Sequence, residues 1–189
     1  LASATFGVLG PVRVRVGEQE SVKLNGKQSA LLAVLLLNVN TTVSRDRLIA
    51  ALWESPPSSA VANLQTYVAR LRKALPAGTR LLTRQSGYVL EAGAEEVDLL
   101  AFDEEVRLAR LEAGTGEPER AAERFERALD LWRGELAEGT PLGSEVLARV
   151  AEVKERRTRA RLDLAEARIA LDRPRRPSMT SAASWPKSS

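Results

Sequence analysis

The hydrophobic period changes twice in the first ninety residues, and the order of the changes limits the folds open to the chain. From Phe6 to Leu24 apolar residues alternate with polar ones; in Val12-Arg13-Val14-Arg15-Val16 the valines share one face and the arginines the other. That is the period of a half-buried strand. Gly10-Pro11 and Gly17-Glu18 read as turns, so the N-terminus is expected to form a β-meander. From Asn25 the period becomes helical: Asn25 caps a strongly apolar helix through Leu31, Val34 and Leu35. Ser44 caps a second, short helix carrying Leu48, Ile49, Leu52 and Trp53, stopped by Pro56-Pro57. A third runs from about Ser59 to Leu75 and ends at Pro76 and Gly78. Arg80 to Leu90 then returns to strand character around a Ser86-Gly87 turn, as a hairpin does.

After Gly93 the pattern is wholly helical. Leu99, Phe102, Val106 and Ala109 mark one amphipathic helix, Gly114 and Gly116 break it, and Pro118 suits the first turn of the next. Ala121, Phe125, Ala128 and Trp132 stripe that second helix. Gly134, Gly139 and Pro141 connect to a long third, seeded by Val146, Val150, Val153, Ala160, Leu164 and Leu171. Helical hairpins of this length resemble tetratricopeptide units, without a clean internal repeat. The expected fold is an α+β winged helix-turn-helix domain, residues 1–94, followed by an all-α tetratricopeptide-like domain, residues 95–173. Residues 174–189, rich in Pro and Ser with almost no periodic apolar side chains, are expected to form a disordered tail.

Charge divides along the same line. Residues 1–94 hold 11 Lys or Arg against 5 Asp or Glu, and residues 95–173 hold 14 against 20. A basic half beside an acidic half points to a polyanion-binding module joined to one that binds none. The chain contains no cysteine and no histidine. Disulfides, thiolate metal sites and thiol nucleophiles are thereby excluded, and the commonest general base and metal ligand is missing. Gly26-Lys27 has Ser21 where a phosphate loop needs glycine, and Gly114-Thr115-Gly116 lacks a third glycine and a preceding strand. Asp103, Glu104, Glu105, Glu123 and Glu126 fall on helical polar faces, where solvated charge accounts for them. No enzyme activity and no cofactor are expected. The longest apolar run, Ala30 to Leu37, is far short of the roughly 20 residues of a membrane span, so a cytoplasmic protein without membrane association is expected.

The third helix carries the chemistry. Leu64, Val68, Leu71 and Leu75 form an apolar stripe, and Ala62, Thr66, Ala69, Arg70 and Lys73 lie opposite it. A helix entering a major groove needs small or polar residues toward base edges, cations at its flanks and an apolar back. Arg70 and Lys73 can each neutralise a phosphate, or Arg70 can fork onto guanine O6 and N7. Asn63, Thr66 and Tyr67 can bond base edges or backbone oxygens. In the hairpin, Thr83-Arg84-Gln85-Ser86-Gly87-Tyr88 places Arg84 at a tip suited to a narrow minor groove. The alternative is an ordinary amphipathic surface helix in a helical protein-interaction adaptor that binds no DNA. Salt separates the two, because DNA affinity falls steeply as salt rises.

Trp53, the run Asn63-Leu64-Gln65-Thr66-Tyr67-Val68-Ala69-Arg70-Leu71-Arg72-Lys73-Ala74-Leu75, Thr83-Arg84 and Gly87-Tyr88 together resemble the OmpR-type winged-helix domain. With Phe6-Gly7-Val8-Leu9-Gly10 before them, and Val97-Asp98-Leu99, Phe102 and Ala128-Leu129-Asp130-Leu131-Trp132-Arg133-Gly134 after, the chain resembles the Streptomyces antibiotic regulatory proteins. These join that domain to a bacterial transcriptional activator domain. The resemblance implies that Ala62, Tyr67, Ala69 and Arg70 face DNA, that Trp53 and Tyr88 touch the phosphate backbone, and that Arg84 sits in the wing. Alanines at 62 and 69 depart from the arginines of some relatives. It also implies activation of antibiotic biosynthesis genes, head-to-tail homodimers on direct repeats of promoter DNA, and contact with RNA polymerase. The family's helical domain continues for several more helices, whereas the pattern here stops near Asp172-Arg173. A chain truncated at its C-terminus is therefore expected.

Overall fold

The computed structural model describes residues 4–17, 19–20 and 22–172, so the expected tail, 174–189, lies outside the described residues. The meander forms as expected. Strands β1 (Ala4–Gly7), β2 (Arg13–Val16) and β3 (Gln19–Glu20) make an antiparallel sheet in that order, with Phe6 opposite Val14. Helix α1 (Gly26–Leu37) begins in a capping box. The Asn25 side chain accepts from the Gln28 amide at 2.9 Å, and the Gln28 side chain accepts from the Asn25 amide at 3.0 Å. Every residue from Ala30 to Leu37 is buried, which makes this helix the axis of the core.

Helix α2 (Arg45–Leu52) is capped by Ser44, and α3 (Ala60–Ala74) spans the expected stretch between Ser59 and Leu75. The hairpin follows as β5 (Arg80–Thr83) and β6 (Gly87–Glu91). Its turn is one residue earlier than expected. Arg84 and Gly87 exchange backbone hydrogen bonds at 2.8 and 3.3 Å, leaving Gln85 and Ser86 at the tip. A strand β4 (Val43–Ser44), which the sequence reading omitted, pairs with β6 and makes the hairpin a three-stranded sheet in the order β4-β6-β5. Gly87 is required there because a Cβ would collide with the Val43 carbonyl oxygen.

Among the described residues three helices follow: α4 (Asp98–Gly114), α5 (Pro118–Asp130) and α6 (Leu147–Asp172), the last entered through a 3-10 turn at Ser144–Val146. Helix α5 stops before Trp132, which instead sets its ring edge-on against Phe102, centroids 5.7 Å apart. Ion pairs lace the helices together, Arg156 to Asp103 at 2.6 Å and Arg168 to Glu126 at 2.7 Å among them.

The two halves share one continuous core. Their junction explains the glycine-rich N-terminal motif. The Asp98 carboxylate accepts from the Val8 and Leu9 amides at 2.9 to 3.1 Å and pairs with Arg133 at 3.0 Å. The Arg133 amide donates to the Leu9 carbonyl at 2.7 Å, and its guanidinium to the Pro11 carbonyl at 3.1 Å. At Gly7 a Cβ would run into the Arg133 guanidinium. On the other side, Arg149 donates to the Leu37 carbonyl at the end of α1, and the Gly143 amide to the Ala51 carbonyl near the end of α2, both at 2.8 Å. Those carbonyls belong to helix ends, which have no intrahelical partners of their own.

Candidate nucleic-acid interface

Helix α3 buries Ala60, Leu64, Val68 and Leu71 and presents the opposite side. Ala62, Gln65, Thr66, Ala69, Arg70 and Lys73 are exposed there, while Asn63 and Tyr67 are half-buried at its edge. The side chains of Arg70 and Lys73 have neither a hydrogen bond nor an ion pair among the described residues. Two unneutralised cations on a helix face with small neighbours are available to an anionic partner at no cost in broken contacts. Two of the candidate polar readers are locally satisfied. The Thr66 hydroxyl donates to the Ala62 carbonyl at 3.0 Å, and the Asn63 side-chain amide donates to the Ser59 hydroxyl at 3.1 Å, which uses one of the two N–H groups of Asn63.

Trp53 closes α2 and stacks on Tyr67, centroids 5.8 Å apart and planes 26° from parallel. The Lys27 ammonium sits 5.1 Å from the Trp53 ring and donates to the Leu52 carbonyl. Trp53 and Tyr67 are thus brought together beside the start of α1. Arg84 reaches the hairpin tip, but its guanidinium is paired with Glu91 at 2.6 Å, and Arg80 holds the same carboxylate. Tyr88 is only 5% exposed, so its ring lies beneath the surface.

Sequence reasoning passed over the residues that hold this surface in shape. Arg72 leaves α3 toward the hairpin. It donates through Nε to the Leu81 carbonyl and through Nη2 to the Thr83 hydroxyl, both at 2.9 Å, and lies 5.9 Å from the Tyr88 ring centroid. Arg45, first in α2, donates through its side chain to the Gln85 carbonyl and through its backbone to the Ser86 carbonyl, both at 3.1 Å. Neither left a signal in the sequence beyond its charge, because both partners sit on another element. Among the described residues no group of three or more carboxylate, His or Cys side chains is placed to hold a metal, and no helix is long and apolar enough to cross a membrane.

Comparison with known proteins meets this geometry from both ends. Residues 18–90 match the family described as transcriptional regulatory protein, C terminal, and residues 97–183 match the bacterial transcriptional activator domain. The chain belongs to the Streptomyces antibiotic regulatory protein family. It is 41% identical over 138 residues to the regulatory protein AfsR of Streptomyces coelicolor, covering 72% of this chain and 14% of AfsR. It is 30% identical over 178 residues to DnrI of Streptomyces peucetius, covering 88% of this chain and 64% of DnrI. The solved structure of Mycobacterium tuberculosis EmbR, in complex with a low-affinity phosphopeptide, superposes with a TM-score of 0.83 at 33% identity. That match covers 90% of this chain and 47% of EmbR. The chain thus spans less than two thirds of these relatives. That is a family of transcriptional regulators, and the winged-helix and helical parts stand here in the family's order.

Proposed function

We propose that the chain activates secondary-metabolite genes by sequence-specific binding of promoter DNA, with α3 in the major groove and the β5–β6 hairpin as a wing in the minor groove. Residues 1–94 act as the DNA-binding unit. Residues 95–173 aid contacts between protomers on direct repeats and with RNA polymerase, in the cytoplasm. The reading of the site is carried by the exposed face of α3, where Arg70 and Lys73 stand without partners between small residues. Thr66 shares that face, Asn63 and Tyr67 lie at its edge, Trp53 braces Tyr67, and Arg84 stands in the wing, held by Glu91. Tyr88, being buried, serves it from below. Arg70 is the residue placed to read a guanine or to hold a phosphate.

The test is fluorescence anisotropy of the chain on duplex DNA across a salt series. Affinity is expected to fall steeply with salt, and Arg70→Ala is expected to cost roughly 1 to 3 kcal/mol. If Arg70 reads a base, the variant loses preference among sequences; if it holds a phosphate, all duplexes weaken alike. A flat salt response, or unchanged binding by Arg70→Ala, favours the protein-interaction adaptor instead.

A further inference from the structure

Three arginines and lysines occupy four consecutive positions of α3, yet they do not share one role. Arg70 and Lys73 are exposed without partners, whereas Arg72 is tied to the hairpin. Two positions correspond to roughly 200° around a helix axis, so Arg72 leaves α3 on nearly the opposite side from Arg70. Its guanidinium then spans two residues of β5, taking the Leu81 carbonyl with Nε and the Thr83 hydroxyl with Nη2. The Tyr88 ring of β6 lies beside it at 5.9 Å. One side chain therefore touches the helix and both strands of the hairpin. Only a planar fork can do this, because two donors in a fixed geometry define an angle and a single ammonium does not.

We infer that Arg72 is a positioning residue that fixes α3 relative to the wing, with Tyr88 as its platform, so that Arg70 and Arg84 meet one duplex together. The inference rests on the proposed roles of α3 and the hairpin. Arg72 is exposed like Arg70 and Lys73, but its guanidinium is engaged by the hairpin of the same molecule. Tyr88, to which the family resemblance gives a phosphate contact, then acts through Arg72. Uncoupling the two elements costs binding entropy, since each must be ordered separately on the DNA.

Arg72→Lys separates the two roles. A phosphate ligand survives that change in large part, since lysine also binds phosphate as a point charge; a fork does not. Measured by anisotropy on mixed-sequence duplex, Arg72→Lys is expected to weaken binding roughly tenfold, as Arg72→Ala does. In either background, a further Arg84→Ala is expected to add little, because the wing is already out of place. Binding by Arg72→Lys at the unmodified level overturns the inference, as do Arg72 and Arg84 losses that multiply independently. Hydrogen exchange supplies a readout without DNA: amides of residues 82–88 are expected to exchange faster in Arg72→Lys, with helix α1 unchanged. If the unmodified chain binds no duplex, the proposed function fails and the exchange data alone decide the role of Arg72; unchanged hairpin protection then overturns it.

Discussion

Arg84 and Arg70 carry the same charge on the same side of the proposed function, but they start from different states. Arg70 is free, while Arg84 must leave Glu91 before its guanidinium can meet DNA. The pair is solvent-exposed on the arginine side, 48% against 23% for Glu91, so it is weak enough to exchange. Glu91 also holds Arg80, its cross-strand neighbour, so one carboxylate offsets both cations of the hairpin. Glu91→Gln is expected to raise affinity for duplex DNA about two- to fivefold and to steepen its salt dependence. Anisotropy against salt checks this, and a gain that persists after Arg84→Ala would place its origin elsewhere. Such pairings cannot be read from sequence. The helical stripe that exposes Arg70 follows from local spacing, whereas the partner of Arg84 depends on how two strands register.

At the scale of elements, local chemistry was the legible part. Asn25, Ser44 and Pro118 start their helices as their side chains and ring geometry require, and the stripe of α3 buries the residues it should. Strand β4 escaped notice because Val43 and Ser44 are too few to show a period; only their pairing with β6 defines them. Trp132 continued a helical stripe on paper but lies past the end of α5. The role of Asp98 was equally invisible, because its acceptors' partners lie some ninety positions away. Its carboxylate is 10% exposed and its partner Arg133 is 21% exposed, so removing one leaves the other largely buried and unpaired. Asp98→Ala is expected to cost about 3 kcal/mol in urea denaturation; a loss below about 0.5 kcal/mol, the range of ordinary surface changes, contradicts the junction described above. Within α6 the covered face thins toward the end: Leu162, Ile169 and Leu171 are 60%, 54% and 43% exposed. Amides of the last turns of α6 are expected to exchange well before those of α1, which is buried from Ala30 onward. Equal protection would contradict that ordering.

Across the whole molecule, the helical half is packed against the winged-helix half through a shared core. It places Asp98 and Arg133 on the meander and Arg149 on the end of α1. The exposed face of α3 lies outside these contacts, so the charge asymmetry of the sequence acquires a structural meaning: the basic face of α3 stays open while the acidic helices pack on the meander and on the ends of α1 and α2. Sequence pattern supplied the order of these parts; their mutual placement depends on contacts between residues far apart in the chain. The central claim is that α3 reads DNA sequence with Arg70. Selection from a random duplex pool, run in parallel with the unmodified chain and Arg70→Ala, tests it most directly. The expected result is an enriched motif, arranged as a direct repeat, whose preference at one or more positions is lost or whose enrichment collapses in Arg70→Ala. Enrichment of no motif, or the same motif at equal strength from both proteins, would contradict it.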